Sequence, residues 1–172
     1  MTIEIRDHDP AWAGLARQAV GELRSALPGT FGVIEHIGST AVPGLAAKPV
    51  IDLMAAVEDL GTSADDVLAT LGYRRLETGM RGRLFYRRDG GPAYHLHVVT
   101  ADTWDTRNER LLRDHLLRHP GDRDEYGRLK RALAAAGHDG DTYTREKTAL
   151  IQRMVDAARD ARGLARVDVW ED

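Results

Sequence analysis

Residues 36–54 read HIGSTAVPGLAAKPVIDLM, a stretch in which a glycine-containing turn separates two apolar segments. The wider segments on each side, residues 31–37 and 50–57, are rich in β-branched and aliphatic side chains, which favour β-strands. The glycines and prolines between them are typical of a loop. The stretch therefore predicts two strands that are joined by a loop.

Helical patterns lie before and after these two strands. Apolar residues at helical spacing predict a first helix near residues 10–27. Beyond the second strand, Thr62 or Ser63 is the expected cap of a short helix that ends near Leu71. We therefore expect helices to flank the sheet to which the strands belong.

The second half of the chain begins with a hairpin pattern and continues as helices. Residues 83–88 and 94–100 are two short runs of strand-forming residues around a turn. From Trp104 to Ala158, apolar residues keep a helical period with two breaks, which predicts three helices. No repeat or linker interrupts the chain, so residues 1–172 are predicted to form a single α+β domain with a helical C-terminal third.

The composition excludes several classes of protein. The net charge is −3, so no basic excess is available to neutralise nucleic-acid phosphates, and general nucleic-acid binding is not expected. The chain has no cysteine, which leaves histidine and carboxylate as the strong metal ligands. No apolar run approaches the ~20 residues of a membrane span and no targeting signal is evident, which predicts a cytoplasmic protein without membrane contact.

The turn after the first strand has the residue types of a phosphate-binding site. Gly38 allows close approach of the backbone, and the hydroxyls of Ser39 and Thr40 can donate hydrogen bonds to phosphate oxygens. Asp52 lies inside the apolar second strand, where a charge is costly unless it is paired, metal-bound or at a cleft. A carboxylate there can hold Mg²⁺ against the same phosphates. The alternative is an ordinary turn with a solvent-facing aspartate.

The stretch from His36 to Asp52 resembles the signature of the GrpB-like proteins, a group of small bacterial proteins within the nucleotidyltransferase superfamily. The similarity continues through residues 95–99 and the C-terminal helices as far as Tyr143 and Lys147, so it covers nearly the whole chain. It implies a nucleotidyltransferase-like mixed sheet flanked by helices, and it implies that some relatives are fused to dephospho-CoA kinase. It does not supply an established reaction.

The resemblance also exposes a departure from the wider superfamily. Active members usually carry two acidic residues one position apart on the second strand and a third on a later strand, to bind two metal ions. This chain has Asp52, but Met54 stands where the second acid is expected, and His95 and His97 stand near the third. The resemblance therefore does not decide which metal is bound or whether the protein is catalytically active.

The histidines supply the remaining candidate metal ligands. Strand alternation places Asp52 and Met54 on one face, and it gives His95 and His97 a common face. With His36 entering from the first strand, these polar side chains can converge on a metal. One carboxylate with imidazoles suits Zn²⁺, Mn²⁺ or Fe²⁺, whereas an all-oxygen shell suits Mg²⁺. His95 or His97 can instead act as a general base, or only pair with neighbouring groups.

Basic residues are the candidates for contact with substrate. Lys48 precedes the second strand and Arg83 lies in the hairpin. Both are predicted to contact phosphates, and the alternative is that both are solvated surface residues. Five residues of the C-terminal helices are weaker candidates for binding an acceptor: Arg113, Arg118, Lys130, Tyr143 and Lys147.

These features together predict a metal-dependent, nucleotidyltransferase-like enzyme that transfers a nucleotidyl group from an NTP to a small-molecule acceptor. Asp52 would hold the divalent metal, Mg²⁺ or Mn²⁺ before Zn²⁺, and His95 or His97 would complete its shell or take the acceptor's proton. Lys48 or Arg83 would neutralise the leaving pyrophosphate. The expected partners are the nucleotide and the acceptor, and a homodimer is compatible with the pattern. Two alternatives stay open: a nucleotide-binding module without turnover, and a His/Asp metal-dependent hydrolase or ligase on the same fold.

Overall fold

Five strands of the described residues form one mixed β-sheet. The structure, a computed structural model, describes residues 2–61 and 64–170. The strands are β1 (Ile34–Ile37), β2 (Val50–Val57), β3 (Arg74–Leu76), β4 (Arg83–Arg88) and β5 (Ala93–Thr100). Their order across the sheet is β1-β2-β5-β4-β3, in which β2 and β5 are parallel and the other neighbours antiparallel. The predicted α+β fold with a mixed sheet is confirmed.

The strands follow the sequence prediction closely except at β3. β2 and β4 have the predicted bounds, and β5 begins one residue earlier than predicted. β1 begins later than predicted, at Ile34, although Gly32 and Val33 still exchange backbone hydrogen bonds with Ala56. β3 was not predicted, because its three residues are too few for an alternating pattern and two of them, both arginines, are exposed.

Residues 10–37 and 50–106 form one compact unit, the sheet unit, which contains all five strands. Helix α1 (Ala11–Ala26) packs on β1 and β2, and its buried face consists of Trp12, Ala16, Ala19 and Leu23. Helix α2 (Asp65–Thr70) precedes β3, and a 3-10 segment, Ala101–Thr106, follows β5. The sheet therefore has helices packed against it, as predicted. The predicted caps of α2, Thr62 and Ser63, lie outside the described residues.

Residues 2–9, 38–49 and 107–170 form the second compact unit, the helical unit. It contains the three predicted C-terminal helices, α3 (Asn108–Arg118), α4 (Pro120–Ala135) and α5 (Gly140–Asp160), and the 3-10 turn Ser39–Ala41. Its core combines the loop after this turn with the apolar faces of the helices: Val42, Leu45, Leu116, Tyr126, Ile151, Met154 and Val155. The helical C-terminal third is therefore confirmed.

The helices differ in length but share a mixed polar and apolar surface. Within residues 2–61 and 64–170, none of them combines the length and the apolar character that a membrane span requires. The assignment of residues 1–172 to a single domain stays a prediction.

Candidate active site

One face of the sheet carries the predicted catalytic residues of the sheet unit. Asp52 in β2 lies directly opposite His95 in β5, and Met54 lies opposite His97. On the other side of β5, Phe85 in β4 is the register partner of His97. Because paired residues on neighbouring strands point to the same side of a sheet, these five side chains share one face.

The carboxylate of Asp52 is the group that both imidazoles approach. His95 Nδ1 lies 3.2 Å from Asp52 Oδ1, and His97 Nε2 lies 3.8 Å from the same oxygen. The second nitrogen of His97, Nδ1, lies 3.3 Å from NH1 of Arg83. A guanidinium group can only donate hydrogen bonds, so Nδ1 of His97 accepts and a neutral ring has its proton on Nε2, toward the carboxylate. Arg83 therefore selects the tautomer of His97.

These imidazoles change the acidity of Asp52. Burial on the sheet face by itself raises the pKa of Asp52, but hydrogen bonding and charge interactions with His95 and His97 outweigh it and lower the pKa to about 2. About a quarter of the side chain remains exposed, at 25%. Asp52 is therefore an anion at neutral pH that a ligand can still reach.

His95 has the geometry of a general base. Its Nδ1 faces Asp52 Oδ1, and a carboxylate at that position favours the tautomer with the proton on Nδ1. The lone pair of the neutral ring then lies on Nε2, and the side chain is 28% exposed. A carboxylate that orients an imidazole in this way also stabilises the imidazolium that forms when the ring takes a proton. The Asp52–His95 pair can therefore remove a proton from a hydroxyl or amine.

Phe85 packs against both histidines from β4. The centroid of its ring lies 5.1 Å from that of His95 and 5.0 Å from that of His97. An apolar ring beside the imidazoles limits their rotation and lowers the local polarity, which strengthens their interactions with the carboxylate. The sequence prediction missed Phe85. The available signal was its position two residues from Arg83, which places both side chains on one face of β4.

His36 was predicted to approach the same site, and the structure does not bring it there. In the register of β1 with β2, His36 lies opposite Leu53, whereas Ile37 lies opposite Asp52. Successive residues of a strand point to opposite faces, so His36 is on the other side of the sheet from Asp52. There it lines a small cavity of about 330 Å³ together with Ile34 and residues of α1.

The residues on this face do not form a two-metal centre. Within the described ranges 2–61 and 64–170, no group of three or more histidine, aspartate or glutamate side chains is arranged to hold a metal ion. The place of a second carboxylate is taken by Met54, which is 0% exposed and packs with Ile37, Val99 and Trp104. The donors do fit one divalent ion that brings phosphate oxygens as its other ligands, with Asp52 as the protein ligand.

In the helical unit, the predicted phosphate turn is joined by a lysine of α4. Gly38 has φ 75° and ψ −177°, a region that is essentially restricted to glycine, and it starts the 3-10 turn. Lys130 Nζ donates a hydrogen bond to Ser39 Oγ at 2.8 Å, and Lys130 is 2% exposed. Thr40 is buried in the same turn. Lys130 was predicted among the acceptor residues, but the structure places it with Ser39.

The other two predicted lysines contact one tyrosine ring in the same unit. Lys48 Nζ lies 4.5 Å from the centroid of the Tyr143 ring, and Lys147 Nζ lies 4.7 Å from it. Lys130 has a similar contact with Tyr126, at 4.4 Å. These distances are typical of cation–π interactions, which favour the charged ammonium. The helical spacing of Tyr126 predicted a core position, and Tyr126 is 4% exposed in the core of the helical unit.

The two arginines predicted to bind an acceptor lie on α3. Arg113 donates a hydrogen bond to the adjacent Asp114 at 3.0 Å, and Arg118 is exposed at the last residue of the helix. Their role in acceptor binding stays a prediction.

The sequence as a whole matches the family model described as GrpB protein over residues 2–157. This chain belongs to the GrpB family. A UPF0157 protein of Streptomyces coelicolor is 35% identical to it over 167 residues, which cover 94% of this chain and 87% of that protein. The predicted family is therefore confirmed over nearly the whole length of the chain.

Solved structures agree with the assignment of this GrpB-family chain. The crystal structure of the conserved protein GrpB from Enterococcus faecalis matches with a TM-score of 0.83 and 30% identity, over 93% of this chain and 99% of that chain. The terminal uridylyl transferase 4 of Trypanosoma brucei with bound dUTP matches with a TM-score of 0.54 and 16% identity, over 96% of this chain and 60% of that chain. The second likeness shows the fold alone, and it confirms the nucleotidyltransferase-like architecture.

Proposed function

We propose that this GrpB-family protein is an enzyme that transfers a nucleotidyl group from an NTP to a small-molecule acceptor. The observation that carries the proposal is the Asp52–His95 pair, a carboxylate and an oriented imidazole 3.2 Å apart on an accessible face of a nucleotidyltransferase-like sheet. Oriented imidazoles remove protons from attacking groups near neutral pH. The likeness to a uridylyl transferase with bound dUTP supports a nucleotide as the donor.

Each group on the sheet face has a role in this reaction. The acceptor oxygen or nitrogen attacks the α-phosphorus and forms the new bond to phosphorus, while the bond to the leaving pyrophosphate breaks. Nε2 of His95 takes the proton of the attacking group, and Asp52 stabilises the resulting imidazolium. Arg83, which holds His97, provides positive charge for the phosphate oxygens.

A divalent metal, Mg²⁺ or Mn²⁺ before Zn²⁺, is proposed to accompany the NTP. When bound, it would take Asp52 as its protein ligand and neutralise charge on the phosphates. This use of one carboxylate agrees with the burial of Met54 at the position of a second one.

The first test of the proposal is nucleotide binding, measured by thermal melting. NTPs and NDPs are added singly, each with Mg²⁺ or Mn²⁺, to the wild type and to Asp52→Ala. A ligand at about 100 times its dissociation constant adds about 2.7 kcal/mol of stability, which raises the melting temperature measurably. We expect a metal-dependent rise with at least one NTP that Asp52→Ala loses. If no nucleotide raises the melting temperature, the assignment of an NTP as the donor is refuted.

The second test is turnover, measured as pyrophosphate release with that NTP and a panel of small alcohols and amines. His95→Gln should lower the rate on the order of 10²-fold or more, because removal of a general base has that effect. His36→Gln is the matched control, since this histidine lies on the opposite face of the same sheet. Equal losses in the two variants would contradict the assignment of His95 as the base.

A nucleotide-binding module without turnover is the second candidate. The specific observation in its favour is Met54, which is fully buried among apolar side chains where two-metal transferases need a carboxylate. The two candidates differ in one result. Nucleotide-dependent stabilisation that is lost in Asp52→Ala, without pyrophosphate release for any acceptor, would favour the module.

A further inference from the structure

A row of charged side chains crosses the sheet on the face that carries Asp52 and His95. In the register of the strands, His95 of β5 lies opposite Arg87 of β4, and Arg87 in turn lies opposite Arg74 of β3. Directly paired residues of neighbouring strands point to the same side of a sheet, with Cβ atoms about 5 Å apart. The row therefore continues from the Asp52–His95 pair to two arginines. We call Arg74 and Arg87 the arginine pair.

The two guanidinium groups of the arginine pair meet at one carboxylate. Nε of Arg87 donates a hydrogen bond to Asp89 Oδ1 at 2.7 Å, and NH2 of Arg74 donates one to Asp89 Oδ2 at 3.3 Å. A single carboxylate group thus bridges both arginines, and two positive charges face one negative charge. Because each guanidinium has five N–H donors, the arginine pair can hold the carboxylate or phosphate of a ligand in a similar way.

The stability of the fold does not explain this group of charges. The side chains of Arg87 and Arg74 are 43% and 61% exposed. Ion pairs as exposed as these contribute little to stability, because solvent screens them. On the opposite face of the sheet, the next residues along β4 and β5 are Tyr86 and Leu96, and both are buried. The charged row is therefore confined to the face that a ligand can reach.

The row also limits the size of the ligand. The next row on the same face is mostly apolar and consists of Met54, His97, Phe85 and Leu76. A polar ligand at His95 is therefore expected to extend toward Arg87. Neighbouring strands are about 4.8 Å apart, so a hydroxyl at His95 and an anionic group at Arg87 are separated by about that distance. A small hydroxy acid or hydroxyalkyl phosphate has this length.

We propose that the arginine pair binds an anionic group of the acceptor, which is a small hydroxy or amino compound with a carboxylate or phosphate. This inference rests on the transfer reaction proposed for Asp52 and His95. The hydroxyl or amine gives its proton to Nε2 of His95 and forms the new bond to the α-phosphorus, while the bond to the leaving pyrophosphate breaks. The anionic group stays on the arginine pair and is unchanged by the reaction. Arg74 and Arg87 are therefore specificity-determining residues.

The first test is isothermal titration, without NTP, of three related compounds: glycerate, glycerol 3-phosphate and glycerol. We expect the wild type to bind at least one of the two anions about 10-fold or more tightly than glycerol, because hydrogen bonds to charged groups are the stronger ones. The tighter anion identifies the recognised group as a carboxylate or a phosphate. Arg74→Gln should weaken its binding about 10-fold. Arg75→Gln is the matched control, since Arg75 is the next residue of the same strand and points to the opposite face.

The second test predicts a gain of affinity. Asp89→Asn removes the negative charge that competes with a ligand for both guanidiniums, so the same anion should bind several-fold more tightly. A damaged fold cannot produce such a gain. The imidazole NMR signal of His95, assigned with His95→Gln, should shift as the anion binds, because Arg87 is the register partner of His95. Unchanged or weaker binding in Asp89→Asn, or an unshifted His95 signal, would contradict the inference.

Turnover separates this inference from the transfer reaction itself. In the pyrophosphate-release assay, Arg74→Gln should raise KM for the anionic acceptor about 10-fold and should affect kcat less, because these contacts hold the acceptor equally in the ground and transition states. Anion binding that depends on Arg74, without pyrophosphate release, would support the arginine pair and count against the transfer reaction. Anions that bind no more tightly than glycerol, or equal losses in Arg74→Gln and Arg75→Gln, would overturn the inference whether or not transfer is observed.

Discussion

Replacement of Asp52 by asparagine removes the charge that the two imidazoles stabilise, so the variant should respond to acid differently from the wild type. In the folded protein the pKa of Asp52 is lowered from its ordinary 3.8 to about 2 by His95 and His97. Each pKa unit corresponds to about 1.4 kcal/mol, so the ionised carboxylate contributes on the order of 2 kcal/mol to folding. The side chain is only a quarter exposed, at 25%, so solvent screening removes little of this.

The sign of the effect follows from the direction of the shift. A carboxyl with a lowered folded-state pKa binds its proton more readily in the unfolded chain, so acid favours unfolding. The contribution is fully present above about pH 5, is about half lost at pH 3 and has largely gone at pH 2. The asparagine variant has no such proton to bind. The stability difference between wild type and Asp52→Asn should therefore shrink by about 1 kcal/mol between about pH 6 and about pH 3.

Urea unfolding followed by circular dichroism measures this difference directly. Both proteins are unfolded at each pH, and Glu58→Gln, which removes an exposed acid just beyond β2, is the control for the loss of one carboxylate. A stability difference that stays constant between the two pH values would refute the reasoning, because it would show that the imidazoles do not hold Asp52 in its ionised form.

Substitutions at three further positions test the packing and the backbone conformation of the fold, each by urea unfolding. Met54→Asp should destabilise the protein by about 3 kcal/mol or more because the carboxylate would be buried in an apolar cluster, whereas Met54→Leu should cost less than about 1.5 kcal/mol. Equal losses of stability in Met54→Asp and Met54→Leu would show that this position tolerates a charge. Gly38→Ala should cost about 1–3 kcal/mol, since φ 75° with ψ −177° is strained for alanine, and a neutral outcome would contradict that backbone conformation. Tyr86→Phe removes the 2.6 Å hydrogen bond to Asp65 and should lower the free energy of unfolding by about 1.5 kcal/mol. Unchanged stability would show that this hydrogen bond makes no net contribution to folding.

The elements of the fold were largely predictable because they depend on local patterns. The apolar run of residues 50–57 favours a strand through its local residue types, and helical spacing in the last third follows from a backbone that repeats every 3.6 residues. β3 was not predictable in this way, since it has only three residues and is a strand through its pairing with β4. The tertiary partner, and not the local sequence, makes this segment a strand.

The candidate active site was predictable in part. Alternation alone predicted that Asp52 and Met54 share one face of their strand and that His95 and His97 share one face of theirs. The structure agrees, and its register sets Asp52 opposite His95 and Met54 opposite His97. His36 was misplaced because the sequence shows that a strand precedes the turn but not its register with β2. A shift of one residue moves a side chain to the other face, and the observed register turns His36 away from Asp52.

The sequence by itself determined the family, most of the secondary structure and the candidate catalytic and binding residues, because these follow from local composition and period. Tertiary structure decided which of those residues meet. The parallel pairing of β2 with β5 puts Asp52 beside His95, and the packing of α4 puts Lys130 on Ser39, 91 residues away along the chain. Such contacts depend on which apolar faces bury one another, and no local pattern in the chain encodes that choice.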